Sequence, residues 1–177
     1  MVKRVLVAVD GTPASNMALE IACALADNYE AALGLLSVTR PDEISDEIIS
    51  AAELEGVIQP GSTFTSVSDA VNTSTLWQQT RHAESAAMLA SALAERIVER
   101  AKAFSSDKPF QAIKTFVSSG DPAKSILSCA DENAADIIIM GHDQQGRVEA
   151  LFKRSVAETV QAKAKCPVLI FSLPKEK

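Results

Sequence analysis

The chain has 177 residues, 47% of them hydrophobic and 23% charged, with a net charge of −6. That length suits a single domain, 1–177, with a proper buried core. The acidic balance, with no cluster of Lys or Arg, argues against nucleic-acid binding, and no apolar run approaches the length of a membrane span.

Residues 1–4 lead directly into an apolar run, so no signal or transit peptide is expected and the chain reads as cytoplasmic. Cys23, Cys129 and Cys166 are odd in number and lack C-x-x-C spacing. They read as small buried hydrophobes in a reducing compartment.

VLVAV (5–9) is the first of several short, nearly continuous apolar segments. Strands have this character when helices cover both faces of a parallel sheet. Asp10 and Gly11 end the run, and a helical period follows, with Thr12 as N-cap and Pro13 at the first helical position. Ala18, Ile21, Ala22, Leu25 and Tyr29 form the expected apolar stripe, and ALGLLSV (32–38) is the second strand. Residues 41–80 then break the alternation, too long for a simple connection. Asp42, Glu43, Asp46, Glu47, Glu53 and Glu55 stand there without a basic residue, and Ile44, Ile48 and Ala52 predict a short acidic amphipathic helix. Pro60 and Gly61 stop it, and a Ser/Thr-rich stretch carrying Phe64 and Trp77 runs to Thr80. This insertion reads as a solvated loop or as a lid or docking element for a protein partner.

Leu89, Leu93, Ile97, Ala101 and Phe104 stripe a long second helix. AIKTFV (112–117), interrupted by Lys114 and Thr115, has the mixed character of an edge strand. Asp121 and Pro122 cap a third helix, striped by Ala123, Ile126, Leu127, Ala130 and Ala134. DIIIM (136–140) follows, then a helix striped by Val148, Leu151, Phe152, Val156 and Val160, and finally the strand VLIF (168–171). Strands alternating with helices of this length form βαβ units with right-handed crossovers. The predicted fold is α/β, an open doubly wound parallel sheet of five strands with helices on both faces.

In such sheets ligands bind beyond the carboxyl ends of the strands, where the winding reverses, and Asp10 ends the first strand there. A haloacid-dehalogenase phosphatase needs D-x-D-G-T, but Ala8 occupies the nucleophile position. A receiver domain needs a second acidic residue and a phosphoacceptor strand end, where Val9 and Phe116, Val117 and Ser118 stand instead. There is no P-loop and no G-x-G-x-x-G after the first strand. His82 and His142 have no nucleophile partner in sequence. No metal site is expected. From the residues alone, Asp10 serves equally as a helix N-terminal carboxylate, worth about 1 kcal/mol, or as a ligand contact.

The opening VLVAVDGTPASNMALEIACALA, the segment SSGDPAKSILSCA and the close IIIMGHDQQGRVEALFKRSVAETVQAKAKCPVLIF together resemble the universal stress protein family. The resemblance spans nearly the whole chain outside 41–80. It implies strand order 3-2-1-4-5, a homodimer and, in one branch, ATP held between strands one and four. Asp10 would meet the adenosine, and backbone near Val38, Met140 and Gly141 would line base and ribose, with Val9 and Val156 beside them. The phosphates would lie in a loop of pattern G-x-x-G-(nine residues)-G-[ST], where glycine lets backbone N–H groups approach phosphate.

Gly141 and Ser155 match that loop, but Gln144 and Arg154 replace its second and third glycines. Losing two charge-assisted hydrogen bonds at ~1.5–3 kcal/mol each weakens binding by roughly two to four orders of magnitude. Gly146 can replace one glycine by a loop shift, and Arg154 can itself grip a phosphate. The expected protein is a non-catalytic stress-response regulator or protectant with an impaired nucleotide site. The alternatives are an ATP- or AMP-binding sensor with at most slow hydrolysis, and an interaction module using 41–80. In that strand order VLIF is an apolar edge, so Val168, Leu169, Ile170 and Phe171 are expected to pair with a second copy.

Overall fold

The computed structural model describes residues 1–40, 74–105, 112–142 and 155–172, with only the backbone helix described for 74–85. The elements are β1 (Arg4–Ala8), α1 (Pro13–Asn28), β2 (Ala32–Thr39), α2 (Ser74–Ser105), β3 (Ile113–Ser119), α3 (Pro122–Glu132), β4 (Ile137–His142), α4 (Val156–Lys163) and β5 (Val168–Ser172). All strand pairs are parallel, and the order is β3-β2-β1-β4-β5. AIKTFV and VLIF therefore lie on the two edges, as their composition and order predict.

Strand periodicity divides the core into two layers. Val5, Val7, Val9, Leu33, Leu35 and Ile139 face α1 and α2. Leu6, Leu36, Ile138 and Met140 face α3 and α4. Val7 registers with Leu35 on one side and Ile139 on the other, and all three are fully buried. Each such side chain contributes about 1.5–3 kcal/mol relative to exposure, so the central strands anchor the domain.

Both predicted caps form. Thr12 Oγ1 accepts the Ser15 N–H at the start of α1, and Asp121 Oδ1 accepts the Lys124 N–H at the start of α3, each with proline next in sequence. Three expectations change. The buried face of α1 is Ala14, Ser15, Ala18, Leu19, Ala22, Cys23 and Ala26, leaving Ile21 and Tyr29 exposed. In α2, Ala86, Leu89, Ala90, Ala94, Val98 and Ala101 are buried, whereas Leu93 and Phe104 are exposed. Helices lying on a sheet bury their small residues where the backbones approach most closely, and larger ones are displaced to the flanks. Finally, α2 begins at Ser74, so Trp77 belongs to that helix and not to a Ser/Thr-rich connection. The predicted acidic helix and Phe64 lie outside the described residues, as do Val148, Leu151 and Phe152.

Cys23 and Cys129 are buried and Cys166 is half-buried, and none of the three is in a disulfide. Burial pushes the Cys129 and Cys166 thiols above the ordinary cysteine range. Among the described residues no helix is long and apolar enough to cross a membrane.

Candidate functional site

At the carboxyl end of β1 the chain makes one further sheet bond, Val9 N–H to Leu36 O at 2.8 Å, and then turns. Asp10 Oδ1 accepts the Thr12 N–H at 2.9 Å and the Thr12 hydroxyl at 2.7 Å, and the Asp10 N–H points at the buried Ser15 Oγ, 3.3 Å away. Gly11 takes φ +81° between them, a conformation other residues resist. Asp10 is thus exposed and oriented, with one oxygen committed to the helix start. Oδ2 accepts no hydrogen bond from the described residues. The helix-terminal role is real, and among the described residues it engages one of the two carboxylate oxygens.

Val38, Met140 and Val156 belong with Ala8 to the cluster on the α3–α4 side of the sheet. Val38, Ala8 and Met140 lie towards the carboxyl ends of β2, β1 and β4, with Val156 of α4 packed against them. Val9 is on the opposite side, in the α1–α2 layer, so its side chain does not join them. Gly141 also faces α1, pressed against Ala14 and Ser15.

Ser155 is the N-cap of α4 in a reciprocal box. Its Oγ accepts the Glu158 N–H at 3.1 Å, and its own N–H donates to Glu158 Oε2 at 3.0 Å. Glu158 is a site residue the sequence reading passed over, although S-x-x-E at 155–158 signals it. The N-termini of α1 and α4 flank the β1–β4 boundary from opposite faces, where strand order reverses. Helix N-termini carry positive potential, so both helix starts face the end of the sheet with the same sign. Gln144, Gly146 and Arg154 lie outside the described residues. Among those described, no group of three or more His, Cys, Asp or Glu could hold a metal ion.

The family model described as "Universal stress protein family" matches residues 1–172. Universal stress protein YxiE of Bacillus subtilis is 28% identical over 171 residues, covering 96% of this chain and 99% of its own. The structure of universal stress protein UspA from Lactobacillus plantarum superposes with a TM-score of 0.63 at 19% identity, covering 96% of this chain and 97% of that one. A universal stress protein solved in complex with cAMP gives a TM-score of 0.59 at 18% identity, with 96% of both chains covered.

Proposed function

This chain belongs to the universal stress protein family, and we propose that it acts there as a non-catalytic, homodimeric regulator whose crevice favours adenosine ligands with little phosphate. The observation that carries this reading is the split character of the crevice. The proposed adenosine end would use the apolar cluster of Val38, Met140 and Val156, with Asp10 exposed at the end of β1. Its phosphate loop has Gln144 and Arg154 where glycines would let backbone N–H groups approach. A similar protein has been solved with cAMP, an adenosine carrying one phosphate, which supports the same class of ligand here. The non-catalytic reading rests on Ala8 and Val9, which stand where phosphoryl-transfer sites need carboxylates.

The dimer reading rests on β5. Leu169 is 40% exposed on an edge strand whose outer N–H and C=O groups lack a strand partner among the described residues. Val168 and Ile170 pack on the α3–α4 side and Phe171 on the α1 side. Antiparallel pairing of two such edges about a two-fold axis would cover Leu169 and continue the sheet.

Thermal unfolding with AMP, cAMP and ATP tests the ligand class. A ligand at 100 times its Kd stabilises by about 2.7 kcal/mol. AMP and cAMP are expected to raise Tm more than ATP at equal concentration. The largest rise with ATP would instead make the protein a triphosphate sensor.

A further inference from the structure

A separate cleft of about 300 Å³ opens on the other face of the sheet, between α1 and α2. The two helices touch where Cys23 Sγ meets Ser105 Oγ at 3.4 Å, both fully buried. Residues of both helices line the cleft. Its floor is the core itself: Val9, Leu19 and Ala101, each 5% exposed, with Ile97 beside them. Gly11 closes one end without a side chain, and a Cβ there would sit 3.6 Å from Ile97 Cγ1.

The walls carry the chemistry. Glu20 of α1 and Arg100 of α2 both line the cleft and are exposed, and neither is in an ion pair with another described residue. Phe104, 47% exposed, lies on the same wall as Arg100. An apolar floor, an open aromatic wall, and a guanidinium and a carboxylate that form no ion pair among the described residues make a complementary set. A guanidinium takes a carboxylate in two parallel hydrogen bonds, and a carboxylate on the wall takes a donor. The volume is at the low end for small-molecule sites, enough for one ring with short substituents.

We propose that this cleft is a second ligand site, for a small aryl carboxylate carrying a hydrogen-bond donor on its ring. The ring lies on Leu19, Ile97 and Phe104, its carboxylate meets Arg100, and its donor meets Glu20. Val38, Met140 and Val156 of the proposed adenosine crevice pack on the opposite face of the sheet, while Val9 and Gly11 of the cleft flank Asp10, so competition with AMP is part of the test.

The probe is 4-hydroxyphenylacetate, followed by ligand-observed NMR and calorimetry. A ligand of this size at ordinary efficiency binds with a Kd on the order of 1 mM. Arg100→Gln is expected to weaken it about tenfold or more, and Phe104→Ser several-fold. Both residues are exposed, so unchanged thermal unfolding of the free variants shows that they fold. The neutral analogue 4-hydroxyphenylethanol is expected to bind the wild type about tenfold more weakly. No binding up to about 10 mM overturns the proposal. So does equal binding by Arg100→Gln, or displacement of the probe by AMP, which would place it in the adenosine crevice. The proposed preference for AMP over ATP stands or falls separately from these results.

Discussion

Gly141 lies so close under the first turn of α1 that a Cβ on it would fall 2.5 Å from the carbonyl carbon of Ala14 and 2.8 Å from its oxygen. The same hypothetical atom would collide with the Ser15 nitrogen. The obstacles are backbone atoms of a helix whose start is fixed by Asp10 and Thr12, so they cannot swing aside as a side chain would.

Gly141→Ala is therefore expected to destabilise the protein by about 1–3 kcal/mol or more, with no ligand present. The urea midpoint of the free protein measures this. A variant of unchanged stability would show that α1 yields and that glycine at 141 answers to a ligand alone.

Asp136 ties the start of β1 to the start of β4, accepting the Lys3 N–H at 2.8 Å and the Arg4 N–H at 2.9 Å. The Lys3 hydrogen bond, then that of Arg4 and its charge, hold its carboxyl below the ordinary aspartate range. A depressed carboxylate contributes stability that is fully present above its unfolded pKa of about 3.9 and is lost as pH falls through the lower folded value. Asp136→Ala is expected to lower Tm at pH 7 by about 2–4 °C. The gap to wild type should narrow as pH drops below about 4, and a gap constant with pH would remove the charge from the account.

The capping box at α4 gives a prediction that needs no ligand. Ser155→Ala is expected to cost about 1 kcal/mol. Adding Glu158→Ala should cost less than the sum of the single changes, because each residue satisfies the other's backbone. Full additivity in a double-mutant cycle would mean that the two hydrogen bonds are not reciprocal.

The edge strand β5 predicts the state of assembly. Wild type at about tens of micromolar is expected to sediment as a dimer, and Leu169→Lys as a monomer whose Tm no longer rises with protein concentration, since Leu169 is partly exposed in the single chain. A monomeric wild type would leave the β5 edge uncovered and end the dimer reading.

Strands, their edge or central character, and the proline-led caps were legible because each is a local pattern: VLVAV, ALGLLSV and DIIIM, then Thr12 with Pro13 and Asp121 with Pro122. The buried faces of α1 and α2 were less so. Periodicity weights large side chains, and close helix–sheet packing selected Ala14, Ala26, Ala90 and Ala94 over Ile21, Leu93 and Phe104. At the site, the places of Asp10 and Ser155 follow from strand end and helix start. The clamp of Asp136 on Lys3 and Arg4 joins residues more than 130 apart in sequence, and no local pattern announces it. Gly141 was read for its resemblance to a phosphate loop, while its contact with Ala14 depends on how α1 crosses β4.

The central claim, an adenosine crevice with a weakened phosphate end, is tested most directly by calorimetric titration of ATP into wild type and into Gln144→Gly/Arg154→Gly. The account predicts wild-type ATP binding weaker than high micromolar and a gain of about two orders of magnitude in the double variant. Adding Asp10→Ala should erase that gain. Low-micromolar ATP binding by the wild type, or a double variant that binds no better, would contradict it.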